Sequence, residues 1–174
     1  LLNTYKGQVR IKAAYRDLAK AKDVDPSVEA VLLDSERPDT FAPAFTGVDK
    51  ALIVPPNAED RAEIVSTLIN AAKDHGVKHV VLISVPGTDE GKILFERQFQ
   101  EMEASAKASG MAWTFLRCVF FAENVWGFQN SIKNDSKVYM NLGEGAIPLV
   151  SVSDIGRAAA AVLVARDKYA NQAF

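Results

Sequence analysis

Ala71-Ala-Lys-Asp-His-Gly-Val-Lys-His-Val-Val-Leu-Ile-Ser-Val-Pro-Gly87 decides the fold. It reads as the end of a helix, a glycine stop at Gly76, and a strand with no polar alternation. Val80, Val81, Leu82 and Ile83 are consecutive. A strand apolar on both sides is buried on both sides, which is the habit of a parallel sheet covered by helices. The strand breaks at Ser84-Val85-Pro86-Gly87, a turn at its carboxyl end. In open parallel sheets, ligands sit outside that end.

Working outward, the chain alternates strand and helix. Strands are predicted over 9–15, 28–33, 50–54 and 112–119, with a short extended piece over 147–152. Helices are predicted over 18–22, 38–45, 59–74, 93–108 and 122–132, and a last one runs to Ala165 with Ser153 as its cap. A further helix turn over Leu1 to Lys6 would end at Gly7. Residues 136–146 are expected to be irregular. Ile64, Val65, Leu68, Ile69 and Ala72 recur at helical spacing, as do Phe95, Phe99, Met102 and Ala106. The βαβ order implies a doubly wound parallel α/β sheet with right-handed crossovers.

With 174 residues and 48% hydrophobic content, the chain is expected to form one domain over 1–174 with a substantial core. A formal charge of −2, with 20 basic and 22 acidic residues interspersed, gives no nucleic-acid or anionic-membrane footprint. No apolar run approaches the length of a membrane span. The single cysteine, Cys118, cannot form an internal disulfide, and the residues at Leu1 to Tyr5 carry no secretory signal. Both point to a reducing, cytoplasmic setting. The chain begins without Met, as if cut from something longer.

Five strand ends should share one edge: Arg16-Asp17, Asp34-Ser35, Pro55-Pro56-Asn57, Ser84 to Gly87, and Cys118 to Asn124. An Arg just past an early strand fits the 2′-phosphate of NADP, where an acidic residue would select NAD; the alternative is a solvated surface Arg. The ten glycines contain no G-x-G-x-x-G, and there is no Gly-Lys-Ser/Thr phosphate loop. No Tyr is followed four residues on by Lys. His75 and His79 straddle Gly76, so neither a shared helix face nor a metal site is expected; both read as partly exposed structural residues. Cys118 reads as an inert, buried thiol. The Glu and Lys residues of the long helices read as a solvated face. Phe120, Phe121, Trp126 and Phe128 read as core, or as the lining of an apolar pocket.

Several strings together resemble the NmrA-like branch of the atypical short-chain dehydrogenases/reductases. They are Phe45 to Asp49, Ala71 to Ser84, Ser109 to Arg117, Phe121 to Asn124, and Val152 to Gly156. The resemblance covers nearly the whole chain. It implies a Rossmann-like fold that binds NADP(H), with NAD(H) second, in a family of quinone or flavonoid-type reductases and non-catalytic redox sensors. By position it places Arg16 at the 2′-phosphate, Asp34 and Ser35 at the adenine, and Pro55, Pro56 and Asn57 along the ribose and pyrophosphate. Phe121 and Asn124 fall beside the nicotinamide, and Ser84 supplies a cofactor-side or turn-forming hydroxyl.

Three departures follow from the same resemblance. The family's first strand with its Gly-rich turn is not found, nor is its C-terminal segment, so the sheet is expected to be incomplete. Phe99 stands where members often carry Lys or His. The expected function is an NADP(H)-dependent oxidoreductase acting on quinones or small carbonyl compounds. The alternatives are a dinucleotide sensor acting through a regulatory protein partner, and a truncated product that does not hold the cofactor. No direct nucleic-acid or membrane partner is expected, and the sequence does not specify the oligomeric state.

Overall fold

The computed structural model describes residue 5 and residues 7–141 and 143–174. The helix turn expected over 1–6 therefore falls mostly outside the described residues. In chain order the elements are β1 (Ile11–Tyr15), β2 (Val28–Leu32), α1 (Phe41–Phe45), β3 (Lys50–Ile53), α2 (Arg61–Asp74), β4 (His79–Ser84), α3 (Leu94–Ala108), β5 (Ala112–Arg117), β6 (Phe120–Phe121), α4 (Gln129–Asp135), β7 (Leu149–Val150), α5 (Val152–Val164) and β8 (Gln172–Ala173). Short 3₁₀ turns cover Leu18–Lys20, Pro38–Thr40 and Ala122–Phe128.

All six residues of β4 are buried. The strand is sandwiched between β3 and β5, both parallel to it, and β8 adds to the far side of β5. Its side chains divide by parity. Val80 and Leu82 join the core formed with Val65 and Ile69 of α2 and with Phe99, Met102 and Ala106 of α3. Val81 and Ile83 face the other way, onto Leu116 of β5 and onto Ala159 and Val162 of α5. Helices thus cover both faces, which is why the strand carries no polar alternation. Burying each of these aliphatic side chains contributes roughly 1.5–3 kcal/mol.

The turn between α2 and β4 shows how local sequence sets this geometry. Gly76 adopts φ +88°. From there its N–H reaches Lys73 O at 3.0 Å, while the Val77 N–H reaches Ala72 O at 3.0 Å. These two bonds close the helix in a Schellman motif and place the buried Val77 under its last turn. A Cβ at position 76 would meet no atom within 4 Å, so glycine is favoured there by backbone conformation rather than by crowding.

Parallel pairing occurs in three pieces: β1–β2, β3–β4–β5–β8, and β6–β7. Among the described residues no backbone ladder joins β1–β2 to β3. The connection is made by packing, with Val31 of β2 in one core with Phe45, Ile53 and Val65. Lys12 Nζ also donates to Pro43 O and Thr46 O at the end of α1, at 2.9 and 3.0 Å.

Several expected boundaries shift. The 112–119 strand ends at Arg117, the ladder partner of Ser84 at the end of β4; the Cys118 N–H makes the last bond of that ladder, to Ser84 O at 2.8 Å. The 122–132 helix divides into a 3₁₀ turn and α4. The cap of α5 is Ser151 rather than Ser153: Ser151 is extended and its Oγ accepts from the Asp154 N–H at 3.0 Å, whereas Ser153 is already inside the helix. The Glu123 carboxylate accepts from the Val152 N–H at 3.0 Å, docking the 3₁₀ turn on the positive end of α5.

The amino-terminal edge of the sheet holds a polar chain. His79, expected partly exposed, is only 3% exposed, because β4 is covered on both faces from its first residue. Thr114 Oγ1 donates its hydrogen to Tyr169 O at 2.6 Å and lies 2.8 Å from His79 Nε2. With the hydroxyl hydrogen used, His79 must donate from Nε2. Its Nδ1 is then a bare, buried acceptor with no partner among the described residues.

Candidate functional site

The carboxyl ends of the strands bring the expected residues into two groups. On the β1–β2 piece, Tyr15 and Leu32 are ladder partners, and the Leu33 N–H bonds to Tyr15 O at 2.9 Å. Arg16 and Asp34-Ser35 therefore leave neighbouring strand tips. Arg16 is exposed, and nothing among the described residues pairs with it. Asp17 folds back as the cap of the Leu18–Lys20 turn, accepting from the Ala19 N–H at 2.9 Å. Asp34 Oδ1 accepts from the Glu36 N–H at 3.1 Å, which makes the β2 exit a tight polar turn. Ser35 is half-buried beside it.

On the larger sheet, Pro55 and Pro56 are half-buried at the exit of β3. Asn57 Oδ1 accepts from Arg61 Nη2 at 3.1 Å. The Arg61 guanidinium in turn lies 5.0 Å from the Phe95 ring. The loop after β3 is thus tied to the starts of both α2 and α3.

Ser84, expected as a cofactor-side or turn-forming hydroxyl, points its hydroxyl at α3. It is fully buried, and its Oγ donates to Glu103 Oε1 at 2.6 Å. Glu103 is the centre of a network that the sequence reading assigned to a solvated helix face. It is only 3% exposed, because it lies among Phe99, Met102 and Ala106 on the stripe that α3 turns to the sheet. Arg117 donates to it from Nε at 3.0 Å and from Nη2 at 2.8 Å, and Thr88 Oγ1 from 3.3 Å. The Arg117 guanidinium also grips Asp89, at 2.6 and 2.9 Å.

Hydrogen bonds donated to Glu103 and then to Asp89 hold Arg117 firmly charged. The hydrogen bond from Arg117 pulls the Asp89 carboxyl below its ordinary value. Ser84 and Arg117 are ladder partners, so this network ties the tips of β4 and β5 to α3. The signal in the sequence was the spacing of Glu103, four residues after Phe99 and three before Ala106, inside an apolar stripe.

Past β5, an open cleft of about 290 Å³ is lined mainly by Leu116, Cys118, Val119, Val150, Ile155 and Phe174. Cys118 is half-buried there, and burial pushes its thiol pKa up, so the group stays protonated. Phe121 is half-buried in the β6–β7 pair. Asn124 is exposed on the following 3₁₀ turn. The aromatic residues expected to form core or a pocket do not do so as a group: Trp126 is 74% exposed, because its turn lies outside the layer that α5 covers. Phe99 is buried at 6% and its ring lies 4.8 Å from that of Phe95.

Arg16, with no partner among the described residues, and the polar Asp34-Ser35 turn thus stand at adjacent tips of parallel strands. Among the described residues no helix is long and apolar enough to cross a membrane.

A family model described as NAD(P)H-binding matches residues 2–166. The chain is 32% identical over 171 residues to the NAD(P)H azoreductase of Xenophilus azovorans, covering 97% of this chain and 59% of that protein. The fold matches the NADP(H) complex of the triphenylmethane reductase of Citrobacter sp., with TM-score 0.86 and 23% identity over 99% of this chain and 63% of that one. It also matches an NADPH-dependent quinone oxidoreductase from Escherichia coli complexed with NADPH, with TM-score 0.87 and 24% identity over 95% and 59%. The chain therefore spans about three-fifths of the length of these proteins.

Proposed function

We propose that this chain, which belongs to the NAD(P)H-binding family, forms one dinucleotide-binding domain over residues 1–174 and serves the reduction of a small quinone, azo or carbonyl compound by NADPH. The observation that carries the reading is a parallel sheet whose carboxyl edge presents an unpaired Arg16 beside Asp34 and Ser35. In this reading Arg16 holds the 2′-phosphate, which favours NADP(H) over NAD(H). Asp34 and Ser35 hold the adenine, and Pro55, Pro56 and Asn57 line the ribose and pyrophosphate. Phe121 and Asn124 border the nicotinamide and the acceptor. Ser84 contributes through Glu103 rather than by direct contact.

The reduced nicotinamide supplies the hydride when bound; the residues of the chain bind, orient and exclude water. Steady-state NADPH oxidation against a panel of quinones, azo dyes and small aldehydes tests the proposal. Oxidation with at least one acceptor supports it, and none with any acceptor refutes it.

A second reading, a dinucleotide sensor that works through a protein partner, has its own observation. Phe99 is buried and packed against Phe95 at the position where members of the resembled family often carry Lys or His. Dinucleotide binding without turnover, with a partner whose affinity follows NADP(H), would favour that reading.

A further inference from the structure

The Glu103 network reaches beyond the helix it stabilises. Its donors come from three places: Ser84 at the tip of β4, Arg117 at the tip of β5, and Thr88 in the loop between β4 and α3. The same loop is held a second time by Asp89 on the outer side of Arg117. Glu103 is 4% exposed at its side chain and Asp89 is 75% exposed, so one guanidinium joins a buried anchor to a solvent-facing one.

The loop has little other freedom. Its Gly87 carbonyl accepts from the Glu90 and Gly91 N–H groups at 3.0 and 2.9 Å. Its far end is fixed by Glu96, which accepts from the Lys92 and Ile93 N–H groups. Gly87 adopts φ +87°, and a Cβ there would lie 2.8 Å from the Glu96 carboxyl carbon. This loop leaves the carboxyl end of the central strand, the edge where a bound dinucleotide meets its acceptor in a parallel sheet.

We propose that Glu103, Arg117 and Asp89 are positioning residues that clamp the Val85–Lys92 loop against the carboxyl edge, Glu103 as the fixed anchor and Asp89 as the releasable one. The proposal rests on the dinucleotide-binding reading for the use of the loop, but not for the clamp itself. The two anchors differ in kind. Removing Glu103 from the buried side leaves the Ser84 hydroxyl without its acceptor and the Arg117 guanidinium with only its exposed one, and weakens the whole domain. Removing Asp89 costs only an exposed, bidentate pair. Its effect is confined to the loop, so Asp89 is where the loop can be loosened without unfolding the sheet.

The test is Asp89→Asn in the full chain, followed by amide hydrogen exchange and NADPH-dependent turnover, with Asp89→Glu as the conservative control. The expected result is exchange about five-fold faster at Glu90 and Gly91, with the amides of β4 and α2 unchanged. The kcat should fall several-fold while the KM for NADPH holds, and Asp89→Glu should restore both readouts. Unchanged loop amides would overturn the clamp, as would equal acceleration in β4 and α2. A kcat and KM for NADPH that move together would overturn the positioning role. If the wild-type chain oxidises no NADPH, the proposed function falls while the exchange data still decide the clamp.

Discussion

Acidification should find one side chain first. His79 is buried at 3% exposure with Nε2 spent on Thr114 and Nδ1 lacking a partner. A proton on Nδ1 would place a charge with no acceptor beside its ladder neighbour Lys50, whose ammonium already caps α5 by donating to the carbonyls of Ala165 and of Arg166, the latter at 2.8 Å. Burial, and then the Lys50 charge, lower the His79 pKa; Asp167 opposes them weakly. The unfolded chain therefore binds this proton more readily than the folded one. Stability is fully present above the ordinary histidine pKa of about 6.5 and declines as pH falls below it, until the folded pKa is reached.

One proton sets the limiting slope at about 1.4 kcal/mol per pH unit. Urea unfolding between pH 8 and 5.5 measures it, with His79→Gln as the reference. Glutamine can still donate to Thr114 but does not titrate, and His75 is common to both proteins. Wild type should lose roughly 1 kcal/mol more than the variant between pH 6.5 and 5.5. Parallel stability curves for the two proteins would refute the assignment of the bare Nδ1.

Three other outcomes follow. Phe99→Ala should destabilise the fold by about 3–5 kcal/mol in chemical denaturation, since the ring is buried between α3 and the sheet; a loss under about 1 kcal/mol would count against its core role. Arg16→Ala should weaken NADPH binding at least about tenfold, with little effect on NADH, in parallel calorimetric titrations. Equal loss for both cofactors would remove Arg16 from the 2′-phosphate. Ser84→Ala should cost about 1 kcal/mol of stability and leave NADPH affinity unchanged, because its hydroxyl faces Glu103; a large loss of affinity would restore it to the cofactor side.

The fold was legible because burial on both faces leaves a strong mark. Val80 to Ile83 could not belong to a strand with one wet side, and the stripes of α2 and α3 announced which faces they would bury. Boundaries were less legible where the neighbouring strand decides them, as at Cys118, whose bond to Ser84 O is the last that β4 offers to β5. The β8 strand was not foreseen: two residues carry too little pattern, and their pairing depends on the free edge of β5.

Within the site, strand-end positions could be placed from βαβ order alone. What could not be placed was the use of each polar group. Ser84 and Glu103 are 19 residues apart and meet only because α3 crosses β4. A carboxylate inside an apolar stripe was the available sign, and a helix read by its hydrophobic members passes over it. The exposure of Trp126 has a similar origin, since aromatic content says nothing about which layer will cover a turn.

The β3 strand carries a consequence for handling the protein. Lys50-Ala51-Leu52-Ile53 forms a ladder only with β4 among the described residues, and Val54 follows it. Leu52 is 39% exposed and Val54 is 65% exposed. An apolar strand with a row of unspent amides is a template for recruiting another chain. Its flanks oppose that: Lys50 puts an ammonium at one end, and Pro55-Pro56 remove two donors at the other. The short run between them is the place where concentrated solutions would begin to self-associate. A charge at position 52 or 54 should raise the concentration the protein tolerates before turbidity appears.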